Sequence, residues 1–260
     1  MANQYTEWFT SKVNDKETFL ELATLQSYIE GNLCLQDAFS KLAAPVQYRW
    51  NSSQTGRAWN MLLDLAADYE EAQDGRVTLI EALFSQPKPS KPDEEDWSED
   101  KDHCPTTLTS EPIALWIDDS KIKSLSDSVG NRWVNFNAFT ARLMATSPLD
   151  SSGWILHHMI HALEKNLNPK RFTAEQDIAI VIAAQYFIHA SKNVRYHPLQ
   201  HIGPTEDDYG RWNFRKERFA QMRMMQELRD STREAARRAE VGMGKAERQG
   251  QEKGKKKGKH

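Results

Sequence analysis

The sequence predicts an all-α protein, an irregular helical bundle, on three observations. Apolar residues recur at helical spacing in one segment after another. No period-two alternation of useful length and no strand–helix–strand order interrupts them. Thr173 to Gln176 (TAEQ) forms a capping box, and the helix it opens, DIAIVIAAQYFIHA, is apolar almost all round, as befits the middle of a bundle.

The elements follow in order. Glu17 to Asn32 places Phe19, Leu22, Ala23, Leu25, Gln26 and Ile29 at helical spacing, and Gly31 marks the end. Leu35 to Ala43 is a short second helix expected to stop before Pro45. Thr55 to Ala72 carries the inner stripe Trp59, Leu62, Leu63, Ala66 and Tyr69. Asp74-Gly75 reads as a turn, with a further helix over Arg76 to Phe84. Asp127 to Ala145 buries Trp133, Phe136, Phe139 and Leu143, and Pro148 ends it. Asn213 to about Glu240 is one charged helix with a narrow stripe of Phe214, Phe219, Met222, Met225 and Leu228.

Composition divides the chain. Residues 1–15 are an N-terminal extension, 16–85 and 113–203 are two halves of one helical domain, and 204–241 is a charged C-terminal helix. Between the halves, residues 86–112 are proline-rich and acidic, with too little apolar surface to offset ordering entropy, and read as a disordered loop. Trp97 within it is a chance aromatic or a docking anchor. Residues 242–260 end in GKKKGKH and read as a disordered basic tail.

Charge is distributed unevenly. The last 50 residues, Arg211 to His260, hold 16 Lys+Arg against 7 Asp+Glu, a net of +9, while the preceding 210 carry −12. An acidic body with a basic end suits polyanion contact, nuclear import or plain solubility, and Lys253, Lys255, Lys256, Lys257 and Lys259 are the residues concerned. No aromatics interleave with the tail lysines, so base stacking is not indicated. No run of about 18 apolar residues predicts a membrane span, and the start lacks the pattern of a secretory signal. Cys34 and Cys104 read as free thiols, Cys34 buried, in a cytoplasmic or nuclear setting.

One stretch invites a metal reading. GWILHHMIHALE places His157 and His161 at i, i+4, with Glu164 one turn later, a spacing that presents three donors to one zinc ion. On a wheel of roughly 100° per residue, His157, His158, His161 and Glu164 share the polar face opposite Met159, Ile160 and Leu163. Against the metal stand the missing HExxH, the missing Cys pair and the ordinary solvated histidine face. The solvated face is preferred, and no cofactor is expected. Asp64, Asp68, Glu70 and Glu71 likewise read as a solvated acidic surface. No phosphate loop, dinucleotide fingerprint or nucleophile elbow is present in the sequence.

Taken in order, several short motifs resemble a known family. They are Tyr28 and Gly31; Trp59, Leu62 and Leu65; Gln73, Leu79 and Leu83; Asn135, Asn137, Ala138, Phe139, Ala141, Arg142 and Leu143; and Ala162, Leu163 and Glu164. The pattern is similar to the filamentous-fungal family called domain of unknown function 3632, over about Thr18 to Leu199, with NAFTARL the most specific part. The resemblance implies a soluble, mainly helical fungal protein without an established activity. It does not call for histidine at 157, 158 and 161. Asn137 and Arg142 are its candidate ligand-binding residues, and Arg142 is expected to pair with a carboxylate such as Glu164.

The function expected is therefore a non-catalytic protein-interaction or scaffold protein with a protein partner. The alternatives are an enzyme or small-molecule binder with a pocket between helices, and a nuclear protein touching nucleic acid weakly through the tail.

Overall fold

The computed structural model describes residues 5–12, 19–48, 53–70, 73–84, 128–146, 158–164, 173–196 and 208–257. Among these the secondary structure is helical, with no strand. The expected acidic loop, with Trp97 and Cys104, lies outside the described residues. The chain divides into two compact units, Met1–Thr107 and Leu108–His260.

The first unit holds α1 (Thr6–Lys12), α2 (Phe19–Ile29), α3 (Leu35–Tyr48), α4 (Ser53–Asp68) and α5 (Gln73–Phe84). Helix α1 lies in the stretch read as an extension, yet it contributes to the core: Phe9 is buried, and the Trp8 Nε1–H donates to Asp68 at 2.7 Å. Gly31 ends α2 in the left-handed region, φ 77°, and the amides of Asn32 and Leu33 donate to the Ser27 carbonyl. Helix α3 continues through Pro45 to Tyr48 rather than stopping before it. Helix α5 starts at Gln73, so Asp74-Gly75 lies in its first turn and not between helices.

Between α4 and α5 one side chain carries the connection. Arg76 is fully buried, and its Nη1 donates to the carbonyls of Leu65 at 2.7 Å and Tyr69 at 3.0 Å. Gln73 donates to the neighbouring Ala66 carbonyl at 2.9 Å. The Leu65 carbonyl also accepts from the Tyr69 amide at 3.0 Å, and a cation at this end of α4 complements the helix dipole. Two expectations fail nearby. Asp64 is buried within the unit rather than solvated, because α4 is covered on every side from Met61 to Ala67. Cys34 is exposed, because its backbone carbonyl, accepting from Ala38, opens α3 while its thiol faces outward.

The second unit holds α6 (Ser128–Thr146), a π-helical turn (Ile160–Glu164), α7 (Ala174–His189), α8 (Ser191–Tyr196), α9 (Asp208–Met222) and α10 (Asp230–Lys257). Helix α7 is central, as its apolar surface predicts, with α6 and α10 packed on it. Its capping box forms in full: the Thr173 hydroxyl accepts from the Gln176 amide, and the Gln176 side chain accepts from the Thr173 amide.

The charged C-terminal segment is two helices, not one. The turn over Arg223 to Arg229 reverses the chain, so that α10 lies antiparallel to α9. Lys216 and Trp212 both reach Glu247, and Arg223 reaches Glu240, so partners rise on α9 as they fall on α10. Against α7 the pairs rise together, Asp177 with Arg229 and Phe187 with Gly242, so α7 and α10 run parallel. Helix α10 presents Ala235, Ala236, Ala239, Gly242, Met243 and Ala246 as its buried stripe. That stripe extends past Gly242, and the helix continues to Lys257, where the sequence predicted an irregular tail.

Candidate functional site

A cleft of about 460 Å³ opens where the junction of α7 and α8 meets α10. Its shape follows from three fixed points. A Cβ at Gly242 would stand 2.1 Å from the Phe187 carbonyl oxygen, so glycine alone permits this approach of α10 to α7. The Ser191 hydroxyl donates to the Gly242 carbonyl at 3.0 Å, tying α8 to α10. The Asn193 amide donates to the Met144 carbonyl at 2.6 Å, tying α8 to the end of α6.

The lining is cationic. Lys192, Arg237, Arg238 and Lys245 supply the charge, beside His189, Val241, Ala246 and Gln249, and among the described residues no carboxylate lines it. Arg237 is held by Glu234 one turn earlier, at 2.7 and 2.6 Å. The hydrogen bond and the opposed charges raise the Arg237 pKa and lower that of Glu234. Lys192, Arg238 and Lys245 are exposed and have no ion pair among the described residues. Arg238 and Lys245 are two turns apart on α10, about 10 Å along its axis, so they flank the Gly242 crossing. Such a cluster of like charges attracts negative charge.

The histidine stretch assembles a different site from the one expected. His157 lies outside the described residues. His161 is exposed, whereas His158 is buried and sets its ring against Trp133, centroids 5.9 Å apart. The 100° wheel misplaces His158 because Ile160–Glu164 is π-helical and turns by less per residue. Glu164 is engaged elsewhere: Arg215 donates to its Oε1 from Nε at 2.9 Å and from Nη2 at 2.5 Å, and Arg211 lies 3.4 Å from Oε2. Its carboxylate thus serves two guanidiniums of α9, not Arg142 as expected. Among the described residues no group of three metal-ligating side chains gathers.

Arg215 is the residue that apolar periodicity misses. It is fully buried in the face of α9 that also carries Trp212, Phe219 and Met222, while Phe214 of the expected stripe is 42% exposed. Burial presses the Arg215 pKa down, and the Glu164 carboxylate opposes that. Its Nη1 meets the Met159 sulfur at 3.4 Å.

Asn137 is buried at the α6–α7 contact, donating to the Trp133 carbonyl at 2.9 Å and accepting from the Tyr186 hydroxyl at 2.8 Å. Arg142 is half-buried on the same helix, five residues on, and neither residue lines the cleft. Of the tail lysines, Lys253, Lys255, Lys256 and Lys257 fall on the helical backbone of α10, and Lys259 lies outside the described residues. Sequence reasoning did not single out Lys192, Arg238 and Lys245. The clue available was the net charge beyond Arg211, but Lys192 joins that group only through the fold.

No helix among the described residues is long and apolar enough to cross a membrane. No curated protein and no solved structure matches the chain. A family model described as "Protein of unknown function (DUF3632)" matches residues 59–221. The matched span starts later than the resemblance read from the motifs and extends further, taking in Glu164, Arg211 and Arg215 and stopping before α10. With more than half of its length matched, the chain, helical throughout its described residues, belongs to this family of proteins of unknown function.

Proposed function

We propose that this chain is a non-catalytic protein-interaction protein that docks an acidic polypeptide segment in the cleft between the α7–α8 junction and α10. The observation that carries the reading is the set of three cations, Lys192, Arg238 and Lys245, with no ion pair among the described residues, around a concavity that no described carboxylate lines. Elsewhere in the same unit, charged side chains are spent on internal pairs such as Arg215–Glu164, Lys216–Glu247 and Arg229–Asp177. Cations left unpaired at a fixed separation give complementarity to an acidic partner and steer its approach.

The test is affinity purification of the full chain from its native cells, with nuclease present, beside the triple variant Lys192→Glu, Arg238→Glu, Lys245→Glu. The reading expects a stoichiometric protein partner that the variant fails to retain. Equal recovery by both chains sinks it.

A second reading is favoured by the continuation of α10 to Lys257, which puts four tail lysines on the helix that borders the cleft. In it the end of α10 holds nucleic acid by phosphate neutralisation alone, with no sequence preference. Binding of a duplex oligonucleotide that falls steeply with salt, and is lost on changing Lys253, Lys255, Lys256 and Lys257 to Gln, is its expected signature. Binding insensitive to those substitutions excludes it.

A further inference from the structure

Building on the cleft as a docking surface, we infer that its ligand carries a phosphate monoester: the site takes a phosphorylated residue of a polypeptide, with the phosphate over the Gly242 crossing.

Four features of the cleft select that chemistry over an ordinary acidic side chain. The first is charge density. Arg238 and Lys245 flank Gly242 on α10, and Lys192 faces the same concavity from α8. Three cations around one small space, none ion-paired among the described residues, match a group with nearly two negative charges and three acceptor oxygens better than a single carboxylate. A run of carboxylates would instead suit cations strung along an open face.

The second is the type of donor. Arg238 offers a planar fork that pairs two phosphate oxygens at once, and the two lysines supply point charges around it. Arg237, next in sequence, is held by Glu234, so it contributes field rather than a free fork.

The third is pre-organisation. The Ser191–Gly242 hydrogen bond ties α8 to α10, and the close approach at Gly242 seats α10 on α7. The helices that carry the cations therefore do not need to move when the ligand arrives, which removes part of the cost of binding.

The fourth concerns what surrounds the phosphate. At about 460 Å³ the cleft exceeds what a bare anion fills, and Val241, 46% exposed, offers apolar surface to a flanking side chain. Among the described residues no Phe, Tyr or Trp lines it, so the His189 imidazole is the one ring a nucleobase would meet there. A phosphorylated polypeptide uses both the charged and the apolar parts, whereas a nucleotide base finds only that small ring.

The test uses the full chain and three immobilised peptide libraries with identical randomised flanks, the fixed central residue being phosphoserine, glutamate or serine. The phosphoserine library is expected to bind about tenfold or more tighter than the glutamate library. Arg238→Ala and Lys245→Ala should each weaken it severalfold, and Arg248→Ala, an exposed arginine of α10 outside the cleft, should not. Equal binding of the phosphoserine and glutamate libraries overturns the phosphate inference and leaves the acidic-docking reading standing. Binding by none of the libraries overturns both. A loss as large in Arg248→Ala as in Arg238→Ala moves the binding off the cleft and overturns the inference. So does a single-stranded oligonucleotide that displaces the phosphoserine library as well as free phosphopeptide does.

Discussion

Arg215 places two N–H groups on one oxygen of Glu164, so a guanidinium with no exposed surface is neutralised by a carboxylate 51 residues earlier in the chain. Arg211 lies against the other oxygen, and the π-helical turn ends at Glu164 itself. The carboxylate at the end of the π turn meets α9, and His158, just before the turn, packs on Trp133.

Glu164→Gln takes the bidentate carboxylate away from the buried Arg215. A cost of about 3 kcal/mol is expected, read by urea denaturation. The double variant Glu164→Gln, Arg215→Met removes the buried cation as well and should recover most of that loss. A single variant within about 0.5 kcal/mol of the parent would show that the pair carries little of the unit's stability.

Asn137 tests whether a polar residue chosen from sequence serves a ligand or the core. Tyr186→Phe removes the hydroxyl that donates to Asn137 Oδ1 and should cost about 1 kcal/mol. Asn137→Ala loses that contact and the bond to the Trp133 carbonyl together, so its cost should be larger. Unchanged thermal stability in Asn137→Ala would argue against the structural role.

Two glycines on α10 should respond with opposite signs. Gly242→Ala sets a methyl against the Phe187 carbonyl, a backbone group that cannot rotate away, and should destabilise by about 1–3 kcal/mol. Gly244→Ala meets only the far end of Arg248 at 3.7 Å and should stabilise, by up to about 1 kcal/mol, as an interior helical glycine replaced by alanine. Paired melting curves decide it, and stabilisation by both would contradict the close crossing.

Glu247 gives a pH dependence. Burial pushes its carboxyl pKa up, but hydrogen bonds from Lys216 at 2.6 Å and Trp212 at 2.9 Å, with the nearby Arg195 charge, outweigh that and hold it below the usual range. A depressed carboxyl pKa stabilises the fold above the unfolded value, about 4.3, and this is lost as pH falls through the folded value. The pair is only half-buried and still screened by water, so the effect is of order a few tenths of a kcal/mol. The stability gap between the parent and Glu247→Gln should be present at neutral pH and shrink on acidification. A gap that grows in acid would reverse the assignment.

Where a feature rests on residues close in sequence, it was legible. Thr173 and Gln176 sit three apart and form the capping box as read. Gly31 takes the left-handed φ that ends α2. The apolar surface of α7 announces its central position. The readings that failed each turn on something distant or on a local irregularity. Cys34 and Asp64 changed places between core and surface, since helix spacing alone does not say how many sides a helix has covered. Phe214 left the stripe and Arg215 entered it, because a charge is tolerated in a core only where a partner such as Glu164 waits. The reversal at Arg223 to Arg229 was not legible, since it is stabilised by packing of Leu228 and by the Arg229–Asp177 pair.

The all-α class, most helix positions, the cap on α7 and the family were readable in the chain, because these depend on residues a turn or two apart. Which charges meet depends on how the helices pack. Packing paired Glu164 with Arg215, covered Asn137 with Tyr186, and brought Lys192 to the same cleft as Arg238 and Lys245. The difference is one of range: helix formation is set within one or two turns, whereas burial and charge pairing are set by which helices approach, here through the room left at Gly242.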